Sequence, residues 1–131
     1  MVREIKFRGK RLDNGEWAYG SLLQEQINGA TCECIIIDHI YARERKQIKV
    51  GTCGQYTGLQ DRSGKKIFEG DIIRMDFDTR STTEIVDFRG GRFVTVDPER
   101  PYRDEALVVF VKYATVIGNI HDNPDLCQLP R

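Results

Sequence analysis

Apolar and polar residues alternate along most of the chain, which is the period of a half-buried β-strand. At residues 71–78, Ile73, Met75 and Phe77 fall on one side, and Arg74, Asp76 and Asp78 on the other. Residues 4–10 repeat the pattern, with Ile5 and Phe7 expected inward and Lys6, Arg8 and Lys10 outward. Asn14-Gly15 and Asn28-Gly29 separate this run from those at 16–23 and 30–37. Asn-Gly between alternating runs is a strong hairpin signal. The first third therefore reads as a three-stranded antiparallel meander. Residues 38–49 are polar, with Ile40 and Tyr41 as anchors, and read as a loop or one or two helical turns. A further strand is expected to begin at 48–50.

Beyond Phe77, runs at 83–88 and 92–96 flank Arg89-Gly90-Gly91, a glycine-rich hairpin tip with Arg92 on its far side. Pro98 and Pro101 break the next stretch, because proline removes a ladder donor. Residues 105–113 carry Val108, Val109 and Val111 and read as a strand, although 105–107 could start a short helix, with 115–120 as the last strand. Asn123 before Pro124 reads as a helix N-cap with proline at the first helical position. Seven or eight short strands with frequent turns predict an all-β fold. We expect a small SH3-like barrel over about 50–123 with the N-terminal meander packed against it. The corresponding subdomains are 1–49 and 50–131, forming one compact unit.

The stretch 55–73 holds two turns. Asp61-Arg62-Ser63-Gly64 has Asp first and Gly last, as a type I turn prefers. Glu69-Gly70-Asp71 is the second. Gly58, Asp61, Gly64, Glu69, Gly70 and Asp71 are therefore read as structural turn residues. This stretch resembles the signature of the YopX family of phage and prophage proteins. That signature runs Gly-Gln-Tyr-Thr-Gly-Leu, then an Asp and Gly turn, then Ile-Tyr/Phe-Glu-Gly-Asp-Ile-Val. Here the matching residues run over 54–59, 61–64 and 67–73. Phe7-Arg8-Gly9-Lys10, Trp17-Ala18-Tyr19-Gly20 and the closing Val116-Ile117-Gly118-Asn119-Ile120 are similar to the family's ends as well. The resemblance implies the architecture and a phage or prophage origin. It brings no catalytic residue, cofactor or substrate with it.

Composition narrows the classes. Hydrophobic residues make up 40% and charged residues 31%, so the chain can bury a core. Lys+Arg and Asp+Glu are both 20, which argues against a wholly basic nucleic-acid binder but leaves room for a local patch. No apolar run is long enough to cross a bilayer, and the first residues lack a signal-peptide core. The expected location is the cytoplasm of a bacterial host, with no membrane partner. Cys32, Cys34, Cys53 and Cys127 are then reduced thiols. Cys32 and Cys34 share a strand face, but no second pair at ligand spacing accompanies them. No metal or cofactor is expected, and Cys53 reads as core filling.

Two clusters could carry chemistry. Asp61, Glu69 and Asp71 gather near one turn and could hold Mg²⁺ in a metal-dependent hydrolase. The same spacing suits carboxylates that close turns on backbone N–H groups, and no catalytic motif surrounds them. His121 beside Asp122 would point to opposite strand faces and so would not pair. The second cluster is the row Lys6, Arg8 and Lys10, spaced roughly 7 Å apart along a strand, with Trp17 and Tyr19 nearby. Such a row could track a phosphate backbone while the aromatics stack on bases. It could equally be a solvated, edge-protecting face. The leading reading is a non-enzymatic binding or assembly module for an unknown protein partner. Its open edges and the 89–92 tip would be contact surfaces, and homo-oligomerisation would suit such edges. Nucleic-acid binding through the basic strand and metal-dependent hydrolysis are the alternatives.

Overall fold

The structure is a computed structural model and describes residues 2–38 and 43–127. The chain divides into two compact units, Met1–Tyr56 and Thr57–Arg131. The all-β class expected from the patterning is found in both.

In the first unit, β1 (Phe7–Lys10), β2 (Trp17–Ile27), β3 (Ala30–Asp38) and β4 (Arg43–Ile48) form an antiparallel sheet in the order β4-β3-β2-β1. The other side of β1 pairs with Gly54 and Gln55, the first residues of β5 (Gly54–Gln60). Ala18, Ile35 and Ile48 are buried at its centre, with Phe7, Leu22, Ile37 and Cys53 packed around them. The β1 ladder starts at Phe7, opposite Gly20. Ile5 therefore lies ahead of the paired strand and is 57% exposed, not inward. Arg8, expected outward and solvated, is 6% exposed.

The polar stretch after β3 forms an edge strand rather than a loop or helical turns. β4 pairs along β3 from Asp38↔Arg43 to Glu33↔Ile48. Its residues Arg-Glu-Arg-Lys-Gln-Ile bring a single apolar side chain to the core, so no apolar period announces it. Charge on an edge strand also discourages pairing with other chains. Ile48 ends this strand instead of beginning the next. Ile40 and Tyr41 lie outside the described residues.

The second unit takes up the end of β5 and continues with β6 (Lys66–Phe68), β7 (Asp71–Asp76), β8 (Ser81–Arg89), β9 (Arg92–Val96), β10 (Glu105–Ala106) and β11 (Ala114–Asn119). Its five-stranded antiparallel sheet has the order β10-β9-β8-β7-β11. The sheet is open, so the expected closure into an SH3-like barrel is not found. The reason lies at 105–113. After two residues of β10 the chain turns into α1 (Leu107–Phe110) and a 3-10 turn at Val111–Tyr113. Leu107, Phe110 and Val111 stand at i, i+3 and i+4, and all three join the core of Ile67, Ile73, Met75, Val86 and Ala114. Val108 and Val109 point out, at 64% and 56% exposure. That is a helical face, and its burial overrides the β preference of three valines. At the chain's far end Asn123 does not cap the 3-10 turn at Pro124–Cys127 through its side chain. Its Oδ1 accepts from the Asn119 N–H, 3.1 Å away. No helix among the described residues is long and apolar enough to cross a membrane.

Candidate functional site

The signature turns place their carboxylates inward. Gly64 N–H donates to the Asp61 carbonyl at 2.9 Å, closing the first turn, and Gly64 takes φ 89°. Gly70 takes φ 91° in the second turn, where a side chain would be strained. Gly58 lies within β5 at φ 82°. The Asp61 side chain is buried, and it accepts from four groups. Oδ1 takes the Ser63 N–H (2.9 Å), the Ser63 hydroxyl (2.8 Å) and the Lys65 N–H (3.0 Å). Oδ2 takes the N–H of Val116, 55 residues away, at 2.9 Å. Burial pushes this carboxyl up, but the bonds from Val116, Ser63 and Lys65 outweigh it and hold it below the usual carboxylate range. Asp71 is 2% exposed, and its Oδ2 accepts the Phe68 N–H at 2.7 Å. Glu69 between them is half-buried. Among the described residues no three His, Cys, Asp or Glu side chains are placed to hold a metal ion. Asp61 and Asp71 thus act as local scaffolding, tying turns to strands.

The N-terminal row behaves differently. β1 and β2 pair Arg8 with Tyr19 and Lys10 with Trp17, so these side chains emerge on one sheet face. Lys6 Nζ lies 5.7 Å from the centre of the Tyr19 ring. The Arg8 guanidinium carbon sits 4.6 Å above Trp17, and Lys10 Nζ 5.3 Å from the same ring. All five residues singled out from the sequence are therefore brought together. They are not equally accessible. Arg8 is buried, so its contribution is to hold Trp17 rather than to meet a phosphate. Tyr19 is 42% exposed and Lys6 and Lys10 are half-buried, so an incoming ligand would meet those three. The strip is a cation–π ladder with an open aromatic face.

The remaining candidates are engaged internally. Arg89 donates to Asp87 at 2.9 Å and to the Pro101 carbonyl at 2.6 Å. Arg92 donates to Asp104 at 3.0 Å. The hairpin tip therefore offers no unshared guanidinium pair. Cys32 and Cys34 are free thiols, and burial, then the neighbouring Cys32, pushes the Cys34 thiol up. A thiol held protonated is a poor nucleophile and a poor metal ligand.

One feature of the second unit carried no motif. A cleft of about 240 Å³ opens on the inner face of the sheet, lined among others by Met75, Glu84, Thr95 and Phe110. Glu84 on β8 and Thr95 on β9, polar residues on the same face as the core residue Val86, are the signal that could have revealed it. Parity alone does not distinguish such residues from a satisfied core threonine or a solvated glutamate.

The family described as YopX protein matches residues 6–128 of the chain. Among solved structures the chain is similar to protein EF1440 from Enterococcus faecalis, at 23% identity and a TM-score of 0.59. That alignment covers 97% of this chain and 100% of that one. It is also similar to protein yopX from Bacillus subtilis, at 23% identity and a TM-score of 0.54, covering 96% and 98%. At these identities the likeness is one of fold. No curated protein matches.

Proposed function

The chain belongs to the YopX protein family, and from that premise we propose a non-enzymatic binding module whose recognition surface is the cation–aromatic strip of the first unit. The observation that carries this reading is the strip itself: Lys6, Arg8 and Lys10 laid over Trp17 and Tyr19 on one sheet face. Its chemistry suits a flexible polyanion with planar groups, such as single-stranded nucleic acid. Tyr19 would stack on a base, Lys6 and Lys10 would meet phosphates, and Arg8 would keep Trp17 in place. Engagement of Asp61 and Asp71 by backbone N–H groups supports the non-enzymatic side of the proposal and weakens a hydrolase built on them. In this reading the protein is phage- or prophage-encoded and works in the cytoplasm of its bacterial host.

Fluorescence anisotropy of labelled single-stranded DNA and RNA against the intact chain tests it. Binding should weaken with salt, with a log–log slope of about −0.7 per phosphate neutralised. Tyr19→Ala should reduce affinity by about fivefold or more, since a base–aromatic stack contributes about 1–3 kcal/mol. Lys6→Glu with Lys10→Glu should abolish binding at moderate salt. Absence of binding at low salt would overturn the nucleic-acid reading and leave a protein partner for the module, including a second copy of this chain.

A further inference from the structure

We propose that the cleft of the second unit is a binding site for a purine nucleoside phosphate, with a guanine-type donor edge inward and the phosphate at the mouth. This site is separate from the strip and does not depend on it.

The argument begins with Thr95. It lines the cleft, is 1% exposed, and its Oγ1 has no hydrogen-bond partner among the described residues. A buried hydroxyl without a partner is costly, and native proteins leave few of them. Its surroundings place a second acceptor nearby. Thr95 pairs with Val86 on β8, so Glu84, two residues along the same face, lies diagonally across from it. Such diagonal neighbours are roughly 7 Å apart. Glu84 Oε2 accepts from the Thr82 hydroxyl at 2.9 Å, which holds the carboxylate, and Glu84 lines the cleft. Glu105 stands directly opposite Thr95 on β10. Glu105 is exposed, so the inner wall presents the Thr95 hydroxyl and the Glu84 carboxylate, a pair that calls for ligand N–H donors.

Part of the lining is apolar. Met75, Phe77 and Phe110 supply it, and the two phenylalanine rings meet edge-on with centroids 6.0 Å apart. This surface takes a planar ring. Arg80, Arg100 and Arg103 line the cleft too and are exposed, as is Glu105, while Glu84, Asp97 and Asp104 are half-buried, so the exposed mouth carries three cations against one carboxylate and the other acceptors lie deeper. Arg80 is stacked over Phe77 at 5.3 Å, which keeps its charge beside the ring site. A ligand matching this order has N–H groups at one end, a flat body, and an anion at the other. Guanine offers two adjacent N–H donors to one carboxylate, whereas adenine presents a donor beside an acceptor. A cleft of this volume suits a base and sugar, with the phosphate reaching the arginines.

The test is titration of the uniformly ¹⁵N-labelled chain with guanosine 5′-monophosphate, followed by amide chemical shifts. Saturable shifts are expected at Met75, Glu84, Thr95 and Phe110, with Trp17 and Tyr19 unmoved. Thr95→Val keeps the shape of the side chain and should weaken binding by about fivefold to tenfold without lowering the thermal midpoint. Glu84→Gln should weaken it by about tenfold or more. Arg100→Ser with Arg103→Ser should weaken the monophosphate and leave guanosine unchanged. Adenosine 5′-monophosphate should bind less tightly than its guanosine counterpart. No saturable shift at millimolar ligand overturns the proposal. So do shifts confined to the first unit, or variants that bind as tightly as the parent chain.

Discussion

The signature turns and the N-terminal strip are both rich in charge, and they use it in opposite ways. In the turns, Asp61 and Asp71 point inward and their oxygens take up backbone N–H groups. In the strip, Lys6 and Lys10 are half-buried beside two aromatic rings, and a third cation, Arg8, is buried against Trp17. A buried carboxylate with several backbone donors is scaffolding, because removing it strands each of those donors without an acceptor. A cation on an aromatic face can exchange that contact for a ligand at modest cost. The role of a charged residue therefore follows from what its atoms already touch.

The sharpest way to break this contrast is Asp61→Ala. It leaves the N–H groups of Ser63, Lys65 and Val116 without their acceptor, and Val116 belongs to β11, on the far side of the sequence. We expect a loss of about 3–5 kcal/mol in urea unfolding. A loss below about 1 kcal/mol would mean that the turn holds itself without the carboxylate. The same group gives the acid limb a sign. Its folded pKa is lowered, so its contribution is fully present above the unfolded value of about 3.9 and disappears as pH falls through the folded one. Stability should therefore drop with acid below about pH 4. Asp61→Asn, weaker at neutral pH, should show a flatter slope in that window.

A second prediction concerns the sheet beneath the strip. Gly9 is buried opposite Ala18, and a Cβ at Gly9 would run into the side chain of Ile48, itself 1% exposed. Gly9→Ala should cost about 1–3 kcal/mol through overpacking. Ile48→Val should relieve part of that cost in the double variant, a coupling measurable as non-additivity in the unfolding midpoints. Strict additivity would show that the backbone moves instead.

These two sites also mark where the sequence was legible. Asp61 and Gly64 sit three residues apart, and the turn they build is a local matter of Asp acceptors and Gly φ, so residue identity nearly determines it. Alternation likewise revealed the β7 core residues Ile73 and Met75. What escaped depends on distant partners. Arg8 is outward by parity yet buried, with Trp17 from the next strand lying against it. Residues 107–111 look like a valine-rich strand until Leu107, Phe110 and Val111 are seen to share the core. β4 has almost no apolar pattern, since its place is fixed by pairing along β3. Thr95 is a similar case: its hydroxyl matters only because no other described residue meets it.

The smallest effect expected is also the one that sharpens the strip most. Trp17 is the sole tryptophan, so its emission reports on the two cations above it without interference. Arg8→Met removes a buried guanidinium 4.6 Å from the ring and should cost about 1–2 kcal/mol while changing the emission maximum. Lys10→Met removes a more accessible ammonium at 5.3 Å and should cost only about 0.5 kcal/mol, with little change in emission. The ratio is what separates the roles. If Arg8 dominates stability while Lys10 is nearly neutral, then Arg8 anchors the aromatic and Lys10 is available to a ligand. Equal costs would make the whole row structural and move recognition away from this face.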